Sequence, residues 1–575
     1  KDSAAKLKCL NSSLSTIDLA LHLIDRIRDN YMSEESRIYL AENEKETYLF
    51  ATHLAYSLFL LTHDPRMGEK MYLTAQKAES AILRNEIAGN ELLYSTGVPD
   101  SLREEQNTLS SEIAAYSNLI LDESRKNIPD SNKIALWKDA LFDMNREKER
   151  VAAKIETVFP KFHDLIRKTE PDSLKIIQGQ LKNDETIVDY LLSNQYTEGK
   201  RKLYVFLVSA KGLKFNELWL DSLFVKNADI LRKTSNPTLT VGSKVSYAAY
   251  TDALHYMYLN LIRPVEEQFT GNKLIIIPDE EIGWLSFDAF LKNKPATGQK
   301  DYEGLHYLIN DYTFSYGYSS SLIFNKSRKF NTGAKIYAFS PDYDTSQAAG
   351  GASALHGTGI EIGSIYNGFR GIKFTGDEAT KANFLASLKN PVILHLAMHS
   401  MSDSTNSKYS YLLFDTHKEK DGKLFNYEIS LKRIISPMVV LSACNSGTGT
   451  LYFGEGLMSL ARSFTLAGAA SVIKTAWDIN DEASAAVMTG YYHYLSKGNE
   501  KNEAMRLAKL DYLKNSAPEF AHPYFWAAYQ VLGDNTPVAR DSHKYIIVIG
   551  IAGLLVTLIL LVYFKRRKIF SERSR

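Results

Sequence analysis

The sequence predicts an α/β protein: a mostly parallel sheet with helices on both faces, preceded by an α-helical region and followed by one transmembrane helix. Three observations predict it. From about residue 171 onward, short β-branched and aromatic runs alternate with amphipathic stretches, the pattern of strands joined by helical crossovers. Before that point apolar residues recur at three and four spacing, the pattern of packed helices. Near the C-terminus, Tyr545 to Phe564 reads YIIVIGIAGLLVTLILLVYF, twenty residues without a charge. At about 1.5 Å per residue that run reaches about 30 Å, the thickness of a bilayer core.

Residues 1–170 form the helical region. STIDLALHLIDRI and TYLFATHLAYSLFLL carry helical apolar periodicity, and Gly and Pro are confined to short breaks such as Gly97-Val98-Pro99 and Pro129. HLAYSLFLLTHDPRMGEKMYLTAQKAES predicts an antiparallel helix hairpin with its turn at His63-Asp64-Pro65. Its spacing resembles one tetratricopeptide-type unit of about 34 residues. Leu102 to Phe162 reads as long, coiled-coil-like helices. Such an arm either binds a protein partner or packs on the domain that follows, and the residues favour neither.

Residues 171–333 predict strands at Thr186–Leu192, Leu203–Ser209, Leu213–Trp219 and Leu274–Pro278, with a hairpin at Ala210-Lys211-Gly212 and a helix over Ser246–Gln268. Residues 334–537 predict strands at Lys335–Ser340, Val392–Ala397, Met438–Leu441 and Ser471–Thr475. Helices are expected there at Thr380–Leu388, Gly454–Ala467, Glu482–Leu495 and Glu503–Asn515. The Gly- and Ala-rich text at 348–363 lacks the residue order of a phosphate-binding loop.

Composition narrows the function. The 575 residues carry 68 Lys plus Arg against 67 Asp plus Glu. So small a surplus excludes bulk nucleic-acid binding. With only Cys9 and Cys444, no disulfide framework and no multi-cysteine zinc site can form. No metal or cofactor is expected.

In open α/β sheets, reactive groups gather at the carboxyl ends of the strands. Two predicted strands end on such groups: PVILHLAMHS at His399-Ser400, and MVVLSACNSGTG at Cys444. A thiolate is the nucleophile, and its ordinary pKa of about 8.5 leaves it mostly protonated at neutral pH. A neighbouring imidazole can take that proton and later deliver it to a leaving amine. The small residues after Cys444 let a substrate backbone approach and could present N–H groups to an oxyanion. Alone, Cys444 would read as a buried small hydrophobe. His395, within the apolar run, reads as a buried, hydrogen-bonded histidine. Cys9 lies on a polar helix and has no assigned role.

LHLAMHS, VVLSACNSGTG, GEGLMSLARSFTLAGAASVIKTAWDIND and HPYFWAAYQVLG occur in this order. Together they resemble the CHAT domain, the caspase-like module often found after tetratricopeptide repeats, over roughly residues 175–535. The resemblance implies a caspase-haemoglobinase-like fold with a degenerate first half (171–333) and an active second half (334–537). It also implies cysteine endopeptidase activity on a protein or peptide substrate. His399 matches the family histidine, Cys444 the nucleophile, and the backbone N–H groups of Ser400 and Cys444 the oxyanion hole. One departure is His399-Ser400 where the family usually has His-Gly, which adds a side chain where glycine would keep the backbone free. In such folds the strand after the nucleophile, here Ser471–Asp478, receives the substrate as an added strand. Trp477 and Asp478 would then line the substrate pocket, and an acidic Asp478 would favour cleavage after Lys or Arg. Asp478 can equally cap the helix that starts near Asp481. The competing function is a non-catalytic scaffold that uses the helical arm and the caspase-like body for binding.

The tail 565–575 holds six basic residues against Glu572, a surplus of +5, so the rest of the chain carries −4. A basic flank after an apolar span predicts a cytoplasmic tail and an extracytoplasmic, periplasmic body. A tail-anchored protein facing the cytoplasm is the alternative. Lys1 is not a start methionine and residues 1–30 hold no signal-peptide pattern, so an upstream segment is expected.

Overall fold

A computed structural model describes residues 3–30, 34–95, 97–160, 170–234, 246–324, 333–343, 357–403, 406–417, 421–442, 450–452 and 455–538. The chain opens with helices α1 (Ser3–Asn30), α2 (Glu34–Thr62), α3 (Pro65–Ala78), α4 (Ala81–Ser95), α5 (Asp100–Ser124) and α6 (Ser131–Val158). The turn between α2 and α3 falls at His63-Asp64, where the spacing placed it. His63 takes a positive φ of 52°. The Asp64 carboxylate accepts the Arg66 N–H at 3.0 Å, and Pro65, which has no N–H to lose, begins α3. Asp130 caps α6 in the same way through the N–H groups of Asn132 and Lys133. The long α5–α6 pair closes on a small core of Val98, Val151 and Ile155 with Leu102 and Leu109.

The strands are β1 (Glu185–Thr197), β2 (Lys200–Ser209), β3 (Gly212–Leu220), β4 (Lys273–Ile277), β5 (Thr313–Tyr316), β6 (Ile336–Ser340), β7 (Gly371–Thr375), β8 (Ile393–Leu396), β9 (Ser400–Met401), β10 (Tyr411–Leu413), β11 (Lys423–Phe425), β12 (Val439–Leu441), β13 (Thr450–Tyr452), β14 (Gly456–Met458), β15 (Ser471–Thr475) and β16 (Tyr529–Gly533). Among the described residues they build one eleven-stranded sheet in the order β3-β2-β1-β4-β5-β16-β15-β12-β8-β6-β7, a three-stranded sheet β11-β10-β9 and the hairpin β13-β14. β1, β4, β5 and β16 run parallel, and so do β15, β12, β8, β6 and β7. The two blocks meet where β15 and β16 pair antiparallel, Ser471 opposite Gly533 through Thr475 opposite Tyr529. Both blocks expected from the sequence are therefore parts of one sheet, and β16, the last strand among the described residues, is the seam. Gly533 makes this possible: its φ is 88°, and a Cβ there would stand 2.7 Å from the Ala470 carbonyl oxygen.

β1 and β2 are apolar on both faces, which suits interior strands covered on each side. Ile187 and Leu191 of β1, Tyr204 and Phe206 of β2, and Ile275 and Ile277 of β4 pack against Tyr48, Ala55, Met71 and Tyr72 of the arm. Their alternate neighbours Val188, Tyr190, Leu203, Val205, Leu274 and Ile276 enter the main core on the opposite face. The arm thus packs on the sheet, and α1, α2 and α3 use their apolar faces to do it.

Several local expectations change. The β1–β2 hairpin turns at Glu198-Gly199, both with positive φ (52° and 77°), a connection the residue types did not announce. The expected helix at Gly454–Ala467 begins only at Leu460, capped by Ser459, because Gly456–Met458 folds back as β14. The expected helix at Ser246–Gln268 runs regularly over Tyr247–Met257. It then widens into a π turn over Tyr258–Ile262, just before Pro264 removes an N–H from the ladder.

The single-pass membrane placement is corrected. Among the described residues no helix is long and apolar enough to cross a membrane. Long helices such as α2 carry charges within them, Glu44, Lys45 and Glu46 among them, which a bilayer core would penalise. An extracytoplasmic body with a cytoplasmic tail, and its tail-anchored alternative, lose their support with it. The 545–564 run and the 565–575 tail lie outside the described residues.

Candidate active site

β8, β12 and β15 are adjacent and parallel, so their carboxyl ends open on the same edge of the sheet. Val439 pairs with Leu394, Val440 with His395 and Leu441 with Leu396. His399 follows Leu396 by three residues, and Cys444 follows Leu441 by three. In this register the two parallel strands end level with each other at one edge of the sheet. Cys444 itself, with the rest of 443–449, lies outside the described residues.

His399 is half-buried, and its backbone is held from two sides. Its N–H donates to the Tyr343 hydroxyl at 3.0 Å, and its carbonyl accepts the Leu413 N–H at 3.0 Å. The Tyr343 hydroxyl in turn donates to the Leu413 carbonyl at 2.6 Å. The phenol and imidazole rings touch, centroids 4.6 Å apart and 48° between planes. Burial pushes the Tyr343 phenol well above its usual pKa, so it is protonated and able to donate.

Ser400 opens β9 and pairs with Leu412 of β10, and Met401 pairs with Tyr411. His399 and Leu413 flank the preceding, hydrogen-bonded position. Ser400 is thus at a non-hydrogen-bonded one, and its N–H is directed away from β10. Positive φ outside glycine occurs, among the described residues, at His63, Ser80, Glu198 and Glu280. Ser400 has ordinary strand geometry, so a side chain there costs the backbone nothing that glycine would have relieved.

His395 is fully buried, with Nδ1 2.9 Å from the Tyr492 hydroxyl and Nε2 3.1 Å from Glu361. It is the hydrogen-bonded core histidine that its place in the apolar run suggested. Trp477 is 8% exposed, sits in the main core and donates its indole N–H to the Tyr524 carbonyl at 3.0 Å. That makes it a packed residue behind the edge. Asp478 is half-buried just past the end of β15, on the edge that His399 occupies. The helix Asp481–Ser496 is capped by Asn480, whose side chain accepts the N–H groups of Glu482 and Ala483, so Asp478 is not the cap. β15 is an interior strand with β12 on one side and β16 on the other. A peptide cannot add to it along Ser471–Thr475, as the resemblance implied, because both sides of its ladder are occupied.

Two residues near this edge gave no signal in the sequence. Tyr343 lies 56 positions before His399 and reaches it only because β6 pairs with β8. Tyr529, the first residue of β16, brings its hydroxyl within 2.9 Å of Ser442 and 2.6 Å of Ser484. Ser442 is the last described residue before the segment that holds Cys444.

Residues 251–534 match the family model of the CHAT domain. The CHAT match takes in β4 through β16, and so all the strands of the His399 edge. The chain is 29% identical over 114 residues to tetratricopeptide repeat protein 28 of Mus musculus, an alignment covering 19% of this chain and 4% of that relative. The chain therefore spans only a small part of the length of the curated relative it matches. The N-terminal helix pairs fit a tetratricopeptide-like arrangement. Among solved structures the chain resembles the Arg-specific cysteine proteinase gingipain R, with 11% identity, a TM-score of 0.33, and coverage of 55% of this chain and 75% of the other. It also resembles the Saccharomyces cerevisiae separase–securin complex, with 9% identity, a TM-score of 0.38, and coverage of 93% and 48%.

Proposed function

We propose that this chain is a caspase-like cysteine endopeptidase whose dyad is Cys444 and His399. The observation that carries the reading is the β8–β12 register, in which each residue stands three positions beyond a paired leucine, within a CHAT-domain match. In this reading residues 171–333 form the degenerate half of a caspase-haemoglobinase-like domain and residues 334–537 the active half, with the arm (1–170) preceding them. The Cys444 thiol gives its proton to His399 and attacks the scissile carbonyl carbon. The oxygen takes the electron pair and is held by the N–H groups of Ser400 and Cys444. As the tetrahedral adduct collapses, the C–N bond breaks and His399 protonates the departing amine. Water, deprotonated by His399, then hydrolyses the thioester and regenerates the thiol. Asp478 supplies a negative charge at the same edge, which favours substrates with Lys or Arg before the cleaved bond. A protein partner would engage the arm on surfaces that do not pack on the sheet.

Cys444→Ala is expected to abolish peptide cleavage and labelling by a thiol-reactive peptide electrophile, both followed by mass spectrometry. If the wild-type protein, tested with candidate activators, neither cleaves nor labels, the peptidase reading fails and a binding scaffold takes its place.

A further inference from the structure

The Tyr343 hydroxyl occupies a place that a backbone hydrogen bond would normally fill. In the β9–β10 ladder the His399 and Leu413 positions oppose each other, and a regular hydrogen-bonded pair would exchange two N–H···O=C bonds. One is made directly, from the Leu413 N–H to the His399 carbonyl at 3.0 Å. The other is interrupted: the His399 N–H donates to Tyr343 Oη, which donates onward to the Leu413 carbonyl. A single hydroxyl thus holds the two groups apart on one side only. The phenol ring that carries it lies against the imidazole, centroids 4.6 Å apart.

We infer that Tyr343 is a positioning residue that sets where the His399 imidazole stands by splicing its hydroxyl into the strand ladder. This rests on the Cys/His reading for its catalytic meaning, but not for its geometry. Tyr343 follows β6 closely, and β6 pairs with β8, so the phenol comes from the rigid main sheet and reaches into the small one. It ties the two sheets together at the histidine. Without the hydroxyl, the His399 N–H and the Leu413 carbonyl are free to bond directly at about 2.9 Å. The ladder then closes, and the imidazole is carried toward β10. A displacement of about 1 Å at a catalytic group is enough to cost about a hundredfold in rate. Among the described residues, the charged and titratable groups beside this network are His399 itself, Asp342 next in sequence, and Asp415. Asp415 is buried and receives His417 Nδ1 at 2.8 Å.

The test is Tyr343→Phe in the full chain, with Tyr366→Phe as control. Tyr366 also donates to a backbone carbonyl, that of Ile372 at 2.6 Å, but on the far side of β6. Two readouts are taken: kinetics on a cleaved peptide, and the NMR titration of the His399 imidazole, assigned by its loss in His399→Gln. Tyr343→Phe should lower kcat at least tenfold with KM within twofold, displace the His399 resonance and move its titration midpoint. Tyr366→Phe should do neither. Unchanged kcat and an unchanged His399 titration in Tyr343→Phe overturn the proposal. If the wild-type enzyme is inactive but the His399 signal still moves, the positioning role holds and the peptidase reading fails. Should Tyr343→Phe not fold, 3-fluorotyrosine at position 343 nearly keeps the shape while making the hydroxyl more acidic, a stronger donor and a weaker acceptor. A His399 midpoint that ignores this replacement also overturns the proposal.

Discussion

Asp478 shows how one residue's meaning depends on its neighbours. As text it served equally well as a helix cap or as a pocket acid. Asn480 takes the cap, which leaves Asp478 at the edge that His399 shares. Asp478→Ala should therefore lower kcat/KM for peptides with Lys or Arg before the cleaved bond by about tenfold or more relative to peptides with a neutral residue there. A peptide library read by mass spectrometry measures the ratio, and an unchanged preference would remove Asp478 from the pocket. Ser400 was legible only as a departure from glycine. Its normal strand φ, set by pairing with Leu412, is a fact of three dimensions. Tyr343 was invisible, because nothing in the spacing of 56 residues says that a phenol will enter a ladder.

Between elements, the arm meets the sheet through charges as well as apolar surface. Lys45 of α2 is fully buried and donates to Asp279, at 2.7 and 2.9 Å, and to Glu280, the two carboxylates just beyond β4. Gln76 of α3 donates to Asp189 of β1 at 2.6 Å and to Glu79 at 3.1 Å. One lysine cannot neutralise this many acids. Burial, with neighbouring carboxylates, holds Glu79 and Asp189 well above the usual carboxylate range and pushes Glu280 up to about 8. A carboxyl whose folded pKa is raised binds its proton more tightly folded than unfolded. Its stabilisation is complete below the unfolded value of 4.5 and is lost as pH rises through about 8. Urea midpoints should accordingly fall between about pH 5 and about pH 8. Glu280→Gln should flatten that slope by on the order of 2 kcal/mol across the interval. A slope identical to wild type would mean that Glu280 does not carry it. The α2–α3 hairpin was readable from Asp64 and Pro65, since capping and proline geometry are local. The ion cluster was not, because Lys45 and Asp279 are 234 positions apart and Gln76 and Asp189 113.

Across the whole molecule, β16 joins two parallel blocks that the sequence separates near residue 333. Asn535, just beyond it, donates to the Ser315 hydroxyl at 2.9 Å, adding a side-chain bond across the β5–β16 junction. A sheet continuous through its hydrogen bonds and through one main core should melt as a unit. Ile275→Ala, in β4 of the first block, is expected to cost about 2–5 kcal/mol. Hydrogen exchange should show β8 and β12 in the second block losing protection by the same amount. Two separate transitions, with β8 and β12 unaffected, would mean that the blocks fold independently.

What the sequence determined by itself was local or periodic. The strands and most helices follow from alternation and caps, and the chemistry proposed for His399 and Cys444 rests on their motifs at predicted strand ends. What only the tertiary structure decided was long-range. It set the register that aligns those two strand ends and the interior place of β15, which closes it to an added strand. It also set the packing of the arm on the sheet and the hydroxyl that holds His399. Each of these depends on which surfaces are buried together and which backbone groups remain to be paired. No single segment of the sequence contains both partners of such a contact.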